Sequence, residues 1–296
     1  MKFPVIFTSS ARIIGLLALT GVLYACSAAK LTYNQAPELA YWYLDDYVDF
    51  SGVQSLQVKD DLNKLQAWHR QTQLPGYIET LQKMQQKIPA DVAALEACNI
   101  FSEVRRKFVL FSDQTQPAVV AMLDTLSSSQ LDVMALKFDK GNAKFRSDFP
   151  QTAKPVTQTK RYKRAVSRAE MLYGPLDDKQ LALVALQIEK SRFSATLAYT
   201  ERQRRQQDTL QTLRLLVKNQ PTIDQKRLAV RGLFERAAAS PNPNHTVYAE
   251  ALTQEGCKNF ADLHNSTTAS QRRKAVATLL GYEQDIKTLS AQGNGR

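Results

Sequence analysis

The chain has 296 residues, 44% of them hydrophobic and 23% charged, and a formal net charge of +11. Only 11 glycines and 11 prolines punctuate it, which excludes collagen-like and Pro/Gly-rich disordered classes. The length suffices for a core in one large domain or two smaller ones, and the abundance of Leu, Ala, Gln, Lys and Arg favours helices.

Residues 1–25 read as a secretory leader. Lys2 and Arg12 supply positive charge, 13–23 an apolar run, and Leu23-Tyr24-Ala25-Cys26 the cut. A cysteine after the cut is the bacterial lipoprotein signature, in which the thiol is diacylated and Cys26 becomes the new N-terminus. The apolar run, about a dozen residues, is short of the roughly 20 that span a bilayer. Ser27 follows, not the aspartate that holds such proteins on the inner membrane. The expected location is therefore the periplasmic face of the outer membrane, held by two acyl chains where one gives only marginal binding. Residues 26–35 read as a lipidated tether and 36–296 as a helical periplasmic domain, with a candidate sub-division near 150–156.

Pro37-Glu38 suits the first turn of a helix. Leu39, Trp42, Tyr43, Tyr47 and Phe50 follow at helical spacing. This aromatic stripe reads as core; contact with the bilayer is the alternative, which Asp45, Asp46 and Asp49 disfavour. At Ser51…Gln54 begins a recurring device, the capping box, where a short oxygen-bearing side chain and a Gln three residues on satisfy two free amides reciprocally. It returns as Ser127…Gln130, Asp177…Gln180, Thr222…Gln225 and Thr268…Gln271. The near-regular spacing of the last four reads as a loose helical-hairpin repeat.

Further helices are expected at 54–70 (Leu56, Leu62, Leu65, Trp68), after the Leu74-Pro75 turn to about 87, and at 90–111, broken before Pro117. Others are expected at 128–149, 156–173, 177–218, 222–239, 246–264 and 268–290, the stretch 177–218 unbroken unless it bends near Ser191. Its centre, Glu201 to Gln207, is almost wholly polar, so this helix is expected to project or pack loosely. No segment alternates as a strand does. The fold class is all-α: about ten helices as antiparallel hairpins, in an elongated bundle or short superhelical array.

Charge concentrates in the middle. Residues 137–236 carry 22 basic against 10 acidic side chains, whereas 27–136 carry 9 against 13. Within this third, 156–173 is a basic amphipathic helix, with Lys160, Lys163, Arg164 and Arg168 opposite an apolar face, and Arg202, Arg204 and Arg205 crowd the polar centre of the next long helix. A solvated basic surface is the plain reading. As a binding surface in the periplasm it would meet an anionic envelope component or an acidic protein, not nucleic acid. With Cys26 assigned to lipid, Cys98 and Cys257 remain in an oxidising compartment. They form either the one intramolecular disulfide available or two buried thiols.

Leu31-Thr32-Tyr33-Asn34, 43–50, Gln54, Trp68-His69-Arg70 and Leu74-Pro75-x-Tyr77 together resemble an uncharacterised family of proteobacterial lipoproteins carrying a domain of unknown function. That resemblance implies an envelope location and no known activity. A fainter similarity is to periplasmic helical chaperones of the Spy and CpxP kind, through Leu126-Ser127-Ser128-Ser129-Gln130.

Catalytic signals are sparse. His69, His245 and His264 show no metal-ligand spacing, though a zinc site from His69, His264 and a carboxylate is conceivable. In Trp68-His69-Arg70, Trp68 is expected to face inward, with His69 and Arg70 making polar contacts elsewhere. Glu103 and Glu201 are formal candidates for a lyase acid, without a supporting motif. No cofactor, metal, catalytic residue or small-molecule substrate is therefore assigned. The expectation is a non-enzymatic envelope interaction or chaperone-like module using its basic middle third, with a cell-wall hydrolase or metal-dependent enzyme as the alternative.

Overall fold

The computed structural model describes residues 29–150 and 154–292. Cys26 and the leader lie outside them, as does part of the 150–156 boundary. The described residues form eleven α-helices and no strand: α1 Ala36–Val48, α2 Gly52–Trp68, α3 Leu74–Lys87, α4 Ala94–Met122, α5 Ser128–Asp148, α6 Lys154–Tyr173, α7 Asp178–Glu189, α8 Ala195–Asn219, α9 Ile223–Ala238, α10 Pro243–Asn265 and α11 Ala269–Ala291.

All five sequence boxes close as capping boxes, starting α2, α5, α7, α9 and α11. Four of them do more, because they meet in pairs. Gln54 and Gln130 bond through their side-chain amides, and each donates its Nε2 to the backbone carbonyl two residues before the other's cap, Thr125 and Asp49. Gln180 and Gln271 repeat the arrangement, with the carbonyls of Ser266 and Pro175. These two clasps join helix starts far apart in sequence. The repeat is therefore one of paired helix N-termini and not of stacked consecutive hairpins, and the Thr222…Gln225 box stands outside the pairing.

Sequential pairs exist (α1 with α2, α6 with α7, α8 with α9), but the chain also folds back on itself in nested antiparallel pairs: α3 with α11, α4 with α10 and α9, α5 with α8. Two packing regions result. One gathers Val48, Val120, Leu123, Leu126, Leu131, Leu213, Leu216 and Val230 behind the first clasp. The other gathers Ile88, Tyr173, Ala275 and Leu279, with Leu176, Val184 and Leu263 beside them, behind the second. Helix α4 reaches both: its first turns hold Cys98, disulfide-bonded to Cys257 of α10 across Cα atoms 5.2 Å apart, and its last turns hold Val120.

Several boundaries differ from the sequence reading. Helix α4 runs through Pro117, where the lost donor and the ring's crowding of the Asp113 carbonyl are offset by the packing of Val119 and Val120 on the first core. Residues 177–218 split at Lys190–Ser194 into α7 and α8, where Ser191 and the Arg192 amide bond Glu255 of α10. Residues 29–34, read as tether, are helical and run on into α1 through the bonds Gln35 N–Leu31 O and Leu39 N–Gln35 O. Leu74-Pro75 is no break: a π turn, His69–Gln73, links α2 directly to α3.

The stripe on α1 divides. Tyr47 and Phe50 pack on the first core, but Trp42 and Tyr43 are 60% and 64% exposed, with Leu31 and Leu39 beside them. Leu56, one of the apolar residues that mark α2 in the sequence, is also exposed.

Candidate functional site

Part of the set that carries the family resemblance, Tyr33, Asn34, Trp68, His69, Arg70 and Tyr77, comes together. The π turn adds a residue to the helix and so rotates the next segment about its axis. It places His69, not Trp68 alone, among Tyr33, Trp68, Tyr77 and Phe111, ring centroids 5.6–6.4 Å away. Tyr33 Oη lies 2.9 Å from His69 Nδ1, and Arg70 donates to Asn34 Oδ1 at 2.8 Å. Burial depresses the His69 pKa and raises that of Tyr77. Burial also raises Tyr33, outweighing the Arg70 guanidinium beside it. This hub clamps residues 29–34 onto the end of α2; Gln66 donates to the Tyr33 carbonyl, and Lys30 pairs with Asp285 of α11. It is an assembly of neutral rings that fixes the N-terminal turn.

His264 lies elsewhere, fully buried, its Nε2 2.8 Å from the Ala90 carbonyl and its Nδ1 2.9 Å from the Tyr173 hydroxyl. Both ring nitrogens are engaged, so the conceived His69/His264 zinc pair is not assembled, and the described residues contain no group of three His, Cys, Asp or Glu placed for a metal. His245 packs edge-on against Tyr248.

The formal lyase acids are held ionised. Glu103 accepts from Thr80 and Lys83, and the Thr80 hydroxyl is the chief cause of its lowered pKa. Burial alone would raise Glu201, but hydrogen bonds from Arg204, Arg205 and Ser240 outweigh it and pull the carboxyl down to about 2. A general acid requires the opposite shift.

The basic residues fall into two groups. Arg204 and Arg205 serve Glu201; Arg204 also reaches Asp208 and the Arg236 carbonyl, while Arg236 grips Asp208. Arg202 donates to Asn142 of α5 and stacks over Phe145. The polar centre of α8 is therefore an internal ionic joint to α5 and α9, and it neither projects nor packs loosely. The sequence showed the polarity but not the Asp208–Arg236 partner 28 residues away. On α6, Lys160 pairs with Asp148, and Arg164 is exposed and lies over Phe149. Lys163 and Arg168 are exposed and make no ion pair among the described residues. Of the basic residues singled out in the sequence, Lys163, Arg164 and Arg168 of α6 are the exposed ones without an ion pair among the described residues, and together they make the α6 strip.

One concavity has the character of a binding site. Between the α1–α2 hairpin and α4, α5, α8 and α9 lies a solvent-connected cleft of about 600 Å³. Leu44, Val58, Leu62, Met122, Met134 and Phe234 are among its walls, with Asp61, Lys64 and Gln114 as polar lining. The volume is within the range of small-ligand sites, and two methionines give adaptable walls. The sequence marked Leu62 and Leu65 as apolar positions of a helix, but it gave no sign that the facing helices stand apart.

No curated protein and no solved structure matches this chain. A family model described as "Family of unknown function (DUF6279)" matches residues 46–236, taking in the π turn, the α6 strip and most of the cleft walls. The chain belongs to that family of unknown function.

Proposed function

We propose that the chain is a lipid-anchored module on the periplasmic face of the outer membrane that binds and does not catalyse. Cys26 carries the acyl chains, the apolar cleft receives apolar segments of partner polypeptides in the manner of a chaperone, and the basic α6 strip attracts acidic partners. The observation that carries this reading is the cleft: about 600 Å³, lined mainly by aliphatic, Met and Phe side chains, with Asp61 and Lys64 as the charged groups. Such a site offers apolar burial and no convergent acid and base.

Binding of a polarity-sensitive dye and suppression of aggregation of a reduced client are the measurements. Ala118→Trp, placed on a cleft wall, should weaken both about tenfold by filling the space. Lys163→Glu/Arg164→Glu/Arg168→Glu should slow capture of acidic clients alone. Undiminished dye binding by the Trp variant would remove the cleft from the account. Palmitate label that persists in Cys26→Ser would remove the anchor.

A further inference from the structure

We infer that the outward face of the first helix lies on the bilayer surface, making Leu31, Leu39, Trp42 and Tyr43 an interfacial contact; the inference rests on the proposed acylation of Cys26. Residues 29–48 are nearly one continuous helix. Leu31, Gln35, Leu39, Trp42, Tyr43 and Asp46 recur along one side of it. The opposite side is occupied by Leu44 and Val48, which border the cleft, and the flank beyond Tyr43 by Tyr47, which meets Phe138. What remains outward is an exposed aromatic and aliphatic stripe, the composition found where protein meets headgroups. Within it the Tyr43 ring packs on Tyr47 of the same helix and Asp46 pairs with Lys137.

Tether length selects the lipid surface as the occupant. Between Cys26 and the first clamped turn stand only Ser27 and Ala28. Three peptide steps span at most about 10 Å. That turn is not free to swing, because Lys30, Tyr33 and Asn34 are fixed to Asp285, His69 and Arg70. An acylated Cys26 would therefore bring the start of this helix to headgroup depth, and the stripe runs away from that point along the same element.

Most of the acids nearby are already engaged, and Asp49 caps the helix at its end far from Cys26. Asp46 is paired with Lys137 and Glu38 with Lys59, and Asp45 caps the Phe50 amide.

The chain has two tryptophans, so each is a single reporter in a Trp→Phe variant of the other. The acylated full-length protein is placed on vesicles of phosphatidylethanolamine and phosphatidylglycerol carrying acyl chains brominated near the headgroup. Flotation reports the anchor, and quenching reports the face. In Trp68→Phe the Trp42 emission should fall about twofold or more, as expected for a ring near the headgroup–acyl boundary. In Trp42→Phe the half-buried Trp68 should change little. Leu39→Asp/Tyr43→Asp, both at exposed positions, should float yet lose the Trp42 quenching. Flotation with Trp42 unquenched and open to aqueous iodide overturns the contact and leaves the anchor standing. Concentration-dependent shielding of Trp42 without bromine quenching assigns the face to a second copy and overturns it too. Failure to float removes the anchor and the inference with it.

Discussion

Behind the Gln54–Gln130 clasp the helices part around a cleft of about 600 Å³. Behind the Gln180–Gln271 clasp they close on Tyr173, His264 and Leu263, with the Cys98–Cys257 bridge joining α4 to α10 nearby. The same polar device thus starts two regions of opposite character. A clasp sets which helix N-termini sit side by side; the side chains one or two turns further on decide whether the space fills. The first region has Leu, Met and Phe around an opening, and the second has a buried histidine, a tyrosine and a covalent link. In the proposed function, binding falls to the looser region and rigidity to the tighter one.

The largest expected effect falls on the tight side. The bridge joins residues 159 apart, and chain-entropy arguments put its stabilisation at about 5 kcal/mol as an upper value. Cys98→Ser/Cys257→Ser should shift the urea midpoint far down while dye binding in the cleft persists under native conditions. A variant that loses the dye site along with stability would show that the two regions are one cooperative unit.

Next comes the ionic joint of α8. Glu201→Gln leaves Arg204 and Arg205 without their carboxylate, and breaking a buried pair costs about 3–5 kcal/mol; partial exposure of the arginines argues for the lower figure. With its pKa drawn down to about 2, Glu201 contributes stability that is fully present above the ordinary carboxylate range and is lost as pH falls towards 2. Acid titration of the unfolding midpoint in wild type and variant checks the sign: the variant's curve should be flatter below about pH 4.5.

The clasps then test the comparison directly. Gln54→Ala and Gln180→Ala each remove an amide bonded to a carbonyl and to the opposing Gln, a loss of about 1–3 kcal/mol. Their stability effects should match, but only Gln54→Ala should alter dye affinity. Equal changes in dye affinity would mean that the cleft is not a property of the first region.

How much of this was legible depends on what each signal encodes. The caps are local, and all five boxes form as read from three-residue spacing. Which box meets which depends on contacts 76 and 91 residues apart, so the repeat was visible and its pairing was not. Periodicity reports a face without saying whether that face meets protein or solvent, which is why Trp42 and Tyr43 read as core. The polar run at 201–207 looked loose because the groups that tie it to other helices, the Ser240 hydroxyl, the Arg236 carbonyl and Asn142, lie on distant segments. A cleft is a space left between helices, and no single helix records it.

The smallest effect is a pH dependence centred on His264 of the tight region. Burial lowers the pKa of His264 and the nearby Arg272 adds to this, while the Ala90 carbonyl and Asp91 act the other way. The folded protein therefore holds the neutral ring where the unfolded chain, with its ordinary value near 6.5, already takes a proton. Stability is full above that value and is lost as pH falls from about 6.5 to the lowered folded pKa, below which both states are protonated and the loss stops. His69, also lowered by burial, adds the same sign from the first region. Chemical unfolding at about pH 7.5 and about pH 5.5, on either side of the ordinary histidine value, should thus show a drop in wild type that His264→Gln reduces. Tyr173→Phe, which keeps the imidazole but removes its hydroxyl partner, should retain most of the drop. If His264→Gln leaves the drop unchanged, and His69→Gln abolishes it, the pH sensitivity belongs to the N-terminal hub, and the tight region is inert to acid over that range.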